Sequence, residues 1–135
     1  MENNFFITND IVNHKKGKEI LKKLKNYKII DSENEFLKIL KDKKLTFEEE
    51  KKYFLFTVKK GKFLKSYYLD KNFKKIKEEF YLSYENNCPL NCVYCYLRDY
   101  YSHGAYIFYV NIEDMFTELD KHKGKGEMIS CGIVN

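Results

Sequence analysis

Apolar residues fall in short runs whose spacing switches between the strand period and the helix period. Phe5-Phe6-Ile7 predicts a short strand. From Gly17 to Lys25, Ile20, Leu21 and Leu24 line one side of a helix whose other side carries lysines. Tyr27 to Ile30 reads as a second strand. Ser32-Glu33-Asn34-Glu35 has the form of a capping box, with Ser32 accepting from the N3 amide and Glu35 reaching back to the cap. Behind it Phe36, Leu37, Ile39 and Leu40 form a helical stripe. Tyr53 to Val58 and Phe63 to Leu69 flank Lys59-Lys60-Gly61-Lys62, which predicts a hairpin. The aromatic residues of this stretch read as core, and the charge run from Lys41 to Lys52 reads as a solvated face.

The pattern continues with a strand over Glu79 to Tyr84 and another over Tyr106 to Val110. Asn111 then caps a helix with Asp114 at N3, and Ile112, Met115, Phe116 and Leu119 fall at i, i+3, i+4 and i+7. Gly124 is expected to end that helix, and Glu127 to Cys131 begins a further strand. Strand, loop, helix and strand in this order predict an α/β architecture with parallel strands. Texture divides the chain near residue 78. Residues 1–78 are lysine-rich and lack cysteine, and are expected to form a small α+β region. Residues 79–135 hold every cysteine, the proline and most of the glycines.

Composition adds limits. A hydrophobic content of 44% over 135 residues supports a core and excludes disorder as a global description. No run approaches the roughly 18 to 20 apolar residues that cross a bilayer, so no membrane association is expected. The N-terminus lacks a basic segment followed by an apolar run, so the expected compartment is the cytoplasm. The net charge of +5 is compatible with nucleic acid. Yet Arg98 is the only arginine and Ala105 the only alanine, while Lys, Asn, Ile, Tyr and Phe abound, so AT-rich codons account for the lysines as well as a nucleic-acid partner does.

The chemistry lies in the cysteines. Three of the four, Cys88, Cys92 and Cys95, follow C-x3-C-x2-C. Structural disulfides are not expected in a cytosolic chain, so the clustering points to a metal. Structural zinc takes four ligands, as two C-x2-C pairs or with paired histidines. No second pair is present, and His103 and His122, which could supply a fourth ligand, lack a partner at His-x3–5-His spacing. An iron–sulfur cubane ordinarily takes four thiolates. With three, one iron keeps an open position, the feature that separates catalytic from closed metal sites.

C-x3-C-x2-C after a strand, with Tyr94 just before the third cysteine, resembles the radical S-adenosyl-L-methionine (SAM) superfamily. More closely, Asn91-Cys92-Val93-Tyr94-Cys95-Tyr96-Leu97, followed by Tyr106 to Asn111 opening a helix, resembles the spore photoproduct lyase family. That family also has a small N-terminal α+β region, with segments similar to Gly17–Ile30 and Tyr53–Lys59 here. The resemblance implies an α/β fold in which this region precedes the first units of a partial (β/α)6 radical SAM barrel. It implies a [4Fe-4S] cluster on Cys88, Cys92 and Cys95, with SAM on the unique iron. Reductive cleavage of SAM would then give a 5′-deoxyadenosyl radical that abstracts hydrogen from a thymine–thymine adduct in damaged DNA.

The same resemblance implies Cys131 as hydrogen donor to the thymine radical, Tyr96 in the radical relay and in contact with SAM, and Tyr94 near the adenine. Plain packing remains the alternative for both tyrosines, and a buried strand cysteine the alternative for Cys131. An electron donor such as flavodoxin or ferredoxin is implied as a partner. At roughly 31 residues per βα unit, about one and a half units follow Cys88. The chain is therefore expected to be truncated and inactive alone, with the missing C-terminal half as a possible separate chain. Other readings are a radical SAM enzyme of another substrate class and a non-catalytic zinc- or iron–sulfur-binding module.

Overall fold

The computed structural model describes residues 4–66, 79–123 and 128–130. The chain runs β1 (Asn4–Thr8), α1 (Asn9–Asn13), α2 (Lys15–Lys23), β2 (Lys28–Ile30), α3 (Glu33–Lys43), α4 (Phe47–Glu50), β3 (Tyr53–Thr57) and β4 (Leu64–Ser66). It continues through β5 (Glu79–Leu82), β6 (Glu85–Asn86), a single 3-10 turn (Tyr96–Asp99), β7 (Tyr106–Tyr109), α5 (Ile112–His122) and β8 (Met128–Ser130).

Two sheets result. The larger has the order β2-β1-β3-β7-β6. Its first four strands are parallel, and β6 closes the edge antiparallel to β7. The smaller has the order β4-β5-β8, with β4 antiparallel and β8 parallel to β5. Strands from both sides of residue 78 pair in each sheet.

The central strands are apolar at consecutive positions because both faces are covered. Phe6, Leu55 and Ile107 point into one core with Phe36 and Leu40 of α3 and Met115 of α5. Ile7 and Val110 point the other way, against Ile11 of α1 and the expected stripe of Ile20, Leu21 and Leu24. Helix α2 begins earlier than the lysine pattern predicts and stops where Leu24 turns extended. A short helix, α1, precedes it. The two touch so closely that a Cβ at Gly17 would stand 2.2 Å from the Ile11 carbonyl oxygen, so only glycine fits there.

Several expectations need correction. Tyr53–Val58 and Phe63–Leu69 do not form a hairpin. Strand β3 is parallel to β1 on one edge and β7 on the other, so no ladder is left for β4, which pairs with β5 in the second sheet; residues 67–69 lie outside the described residues. The backbone of Lys59 is instead bound by Asn111, whose Oδ1 accepts the Lys59 N–H at 2.8 Å and whose Nδ2 donates to the Lys59 carbonyl at 2.9 Å. Asn111 therefore makes no side-chain cap for α5. Phe116 is 57% exposed, so the apolar face of α5 is carried by Ile112, Met115 and Leu119. Ser32 caps α3 as expected, but Glu35 accepts from Asp31 N–H, one residue earlier than a regular box. Gly124 lies outside the described residues.

The charge run Lys41–Lys52 is also more than a solvated face. It holds the end of α3 and the single-turn helix α4. A capping box starts α4: Thr46 Oγ1 accepts from Glu49 N–H at 3.3 Å, and Glu49 accepts from Thr46 N–H at 2.8 Å.

Candidate metal centre on the cysteine loop

Strands β6 and β7 pair at the edge of the larger sheet, so the segment from Asn87 to Ala105 is a loop with both ends anchored on one ladder. Asn87 opens it. Its φ of 67° is left-handed, a conformation that asparagine tolerates better than most residues. Fully buried, Asn87 accepts from Cys88 N–H at 2.7 Å and donates its amide to the His103 carbonyl, tying the start of the loop to its end. Within the loop, Cys95 N–H donates to Cys92 O at 3.1 Å, and Cys95 then precedes the 3-10 turn.

Helix α4 lies under this loop as a platform. Lys51, just after α4, donates from Nζ to Asn87 Oδ1 at 3.1 Å and to Cys88 O at 2.5 Å. Arg98, three residues past Cys95, pairs with Glu48 at 2.7 Å. Gly104 N–H donates to Glu50 Oε2 at 2.6 Å. The Phe47 ring receives two cations, Lys51 Nζ at 5.0 Å and the Arg98 guanidinium carbon at 5.7 Å from its centroid. The approach at Gly104 is tight: a Cβ there would stand 2.1 Å from the Phe47 carbonyl oxygen. Asn87, Lys51 and Gly104 were not singled out from the sequence. The left-handed tolerance of asparagine and the permissiveness of glycine are the only local signals they carry.

All three loop cysteines are free and half-buried. The Lys51 ammonium lies within electrostatic reach of each; burial pushes its pKa down, and the three thiols push it back up. The Cys92 side chain beside Tyr94 raises the phenol. Burial raises Tyr101, with Cys88 and Cys95 adding to the effect. Burial lowers His103, whose buried Nδ1 has no hydrogen-bond partner among the described residues. His122 lies on α5 with its ring 5.3 Å from Phe80.

Three soft thiol donors on one short loop, facing a shared cation, are the donor set that iron–sulfur chemistry uses. The residues fit by type and number. They are not drawn into a cage, since among the described residues no three His, Cys, Asp or Glu side chains are grouped closely enough to hold a metal ion. Tyr94 and Tyr96 stand 87% and 84% exposed beside the cysteines. Cys131 lies outside the described residues. Two open hollows of about 650 and 430 Å³ occur elsewhere, and no residue of the cysteine loop lines either. No helix among the described residues is long and apolar enough to cross a membrane.

The mixed α/β arrangement with its mainly parallel sheet matches part of the radical SAM fold. Solved structures of spore photoproduct lyase are similar to it. The enzyme complexed with dinucleoside spore photoproduct superposes with a TM-score of 0.64 at 17% identity, over 93% of this chain and 36% of that one. A cysteine-to-alanine mutant with the same dinucleoside gives 0.66 at 16% identity, over 99% and 40%. A double mutant that also holds AdoMet gives 0.65 at 16% identity, with the same coverage. This chain thus spans about two fifths of those chains or slightly less, and at such identity the likeness is one of fold. No protein-family model matches the chain, and no curated protein matches it.

Proposed function

We propose that this chain carries the cluster- and SAM-binding part of a radical SAM lyase, with Cys88, Cys92 and Cys95 as the ligands of a [4Fe-4S] cluster. One observation carries the reading: three free thiols at C-x3-C-x2-C spacing on a single anchored loop, within a fold similar to a lyase that holds AdoMet. Cys88, Cys92 and Cys95 would hold three irons of the cluster, and no fourth thiolate of the loop would hold the remaining one. Cluster and SAM together supply, on one-electron reduction, a 5′-deoxyadenosyl radical that takes hydrogen from the substrate.

The chain's own residues do the holding. Asn87 and Lys51 fix the backbone at Cys88, and the i→i+3 bond from Cys95 to Cys92 sets the turn that carries the other two thiols. The open rings of Tyr94 and Tyr96 are offered to SAM, Tyr94 toward the adenine. Cys131, one residue past β8, is proposed as the hydrogen donor. The substrate is a thymine–thymine adduct in damaged DNA, as the dinucleoside bound by the similar lyase supports. A flavodoxin- or ferredoxin-type donor supplies the electron. Because the chain spans 40% or less of those lyases, cluster assembly and SAM binding are assigned to it alone. Turnover is assigned to it together with the remainder of a barrel, whether continuous or separate.

Anaerobic reconstitution with iron and sulfide tests the reading. A brown protein with about four irons per chain is expected, and Cys92→Ala should lose it. A colourless protein with stoichiometric zinc, or iron binding unchanged by Cys92→Ala, overturns the assignment.

A further inference from the structure

We propose that Lys51 is the positioning residue of the cysteine loop, holding Asn87 and Cys88 in place and setting an uncompensated cation against all three thiols, so that it orders the loop for iron and raises the reduction potential of the cluster. This rests on the cluster reading above and extends it to a residue outside the cysteine motif.

Two features single out Lys51. First, it bonds the loop at the point where the first ligand emerges, through Asn87 Oδ1 and the Cys88 carbonyl. Those bonds span 36 and 37 residues, so the segment before β3 fixes the loop after β6. Second, its charge is left unbalanced. The other cation over the Phe47 ring, Arg98 of the loop, is paired with Glu48 at 2.7 Å. Glu49 is taken up by the Thr46 backbone and hydroxyl, and Glu50 by the Gly104 N–H. Among the described residues no carboxylate lies within ion-pair distance of Lys51, and the groups that act on its charge are the three loop cysteines and, with the opposite sign, Arg98. Half-buried over the Phe47 ring, it is screened less than a surface lysine would be.

The electrostatic consequence has a definite sign. Reduction adds one electron from an external low-potential donor to a cluster already bearing thiolate charge. A fixed cation nearby stabilises the more negative, reduced form more than the oxidised form, which raises the potential. Removing that cation lowers it. A purely structural residue would change how much iron binds without moving the potential of the clusters that do form.

The test uses the full chain, reconstituted anaerobically with iron and sulfide, as the parent and as Lys51→Gln, Lys51→Arg and Lys18→Gln. Lys18 is an exposed cation on α2 and controls for net charge. Iron per chain, far-UV circular dichroism and a dithionite titration followed by the EPR signal of the reduced cluster are measured. In Lys51→Gln the ratio of reduced to oxidised cluster at a fixed potential should fall about tenfold, a shift of ~59 mV for one electron. Lys51→Arg should keep the parent potential, and Lys18→Gln should leave it unchanged. A folded Lys51→Gln that loads little iron, while Lys51→Arg loads fully, also supports the positioning role. A Lys51→Gln cluster with the parent's loading and potential overturns the proposal, as does an equal shift from Lys18→Gln. If Lys51→Gln does not fold, failure of Lys51→Arg to load iron at the parent potential overturns it. A parent chain that forms no thiolate-bound cluster fails the underlying reading instead, and the iron count separates the two failures.

Discussion

Replacing Gly104 by alanine tests the contact between the cysteine loop and its platform. The added Cβ would stand 2.1 Å from the Phe47 carbonyl oxygen and 3.1 Å from Glu50 Cβ. The nearer atom is backbone, so the clash cannot be relieved by a rotamer change. Either α4 or the loop must move by more than 1 Å to reach an ordinary contact of 3.4 to 4 Å. Forcing an extra methyl into packed surroundings typically costs about 1–3 kcal/mol. If the loop retreats, the Gly104 N–H also leaves the Glu50 carboxylate it meets at 2.6 Å, and a hydrogen bond to a charged group is worth about 1.5–3 kcal/mol. Alanine's smaller unfolded-state entropy returns only about 0.4–1 kcal/mol. Clash and lost bond are alternatives in part, so the expected net loss is about 3 kcal/mol, or about 10 °C in Tm for a chain of this length.

The assay is urea denaturation of the apoprotein followed by circular dichroism and tyrosine fluorescence, whose coincidence checks two-state behaviour. Gly61→Ala is the matched control. Nothing lies within 4 Å of a Cβ built at Gly61, so that change should be neutral or stabilising by up to ~1 kcal/mol. If Gly104→Ala is as stable as Gly61→Ala, the close approach of the loop to α4 is wrong, and the platform with it.

Three further outcomes follow from other parts of the fold. Asn111→Ala removes a buried side chain that satisfies both the N–H and the carbonyl of Lys59; at about 1–3 kcal/mol per group left unsatisfied, a loss of ~3 kcal/mol in urea is expected, and a loss below ~1 kcal/mol would refute the bridge. Thr46→Ala removes the capping box of α4 and should cost about 1 kcal/mol, with the same assay. Burial, the largest influence, pushes the His103 pKa below its ordinary value of 6.5, with Lys51 acting the same way and Glu50 and Glu33 opposing. The unfolded chain therefore takes up a proton at His103 at higher pH than the folded chain does. Stability should be fully present above pH 6.5 and decline as pH falls from there toward the depressed folded value. His103→Gln should flatten the urea midpoint between pH 5.5 and 7.5 relative to the parent, and an unchanged slope would refute the assignment.

What could be read from the sequence, and what could not, divides by distance along the chain. The strands around Phe6, Phe54 and Ile107 and the helices behind Ile20 and Phe36 were legible because each signals itself locally, the strands through short continuous apolar runs and the helices through a period of 3.6 residues. The Ser32 cap is equally local, acting three residues away. Cysteine spacing is local as well, and it carried the candidate ligands, although spacing does not by itself draw three thiols into a cage. The hairpin at Lys59-Lys60-Gly61-Lys62 misled because proximity in sequence favours it, while β3 has its better partners in β1 and β7, about 50 residues away on either ladder.

The platform was hidden for the same reason, more strongly. A run such as Glu48-Glu49-Glu50-Lys51-Lys52 has the composition of a solvated face, and nothing in its neighbourhood reveals which of its charges find partners. Glu49 meets Thr46 three residues away, but Lys51 meets Asn87 over 36 residues, Glu48 meets Arg98 over 50 and Gly104 meets Glu50 over 54. Each of the three long links reaches the cysteine loop, and together they hold its beginning, its middle and its end. Surface charges usually contribute little to stability. What sets these apart is that Lys51 and Glu50 act on backbone groups of a loop that has no ladder of its own between Asn87 and Ala105. The bonds that order the cysteine loop thus come from the stretch with the least periodic sequence, and the chemistry of that loop depends on residues that no cysteine motif contains.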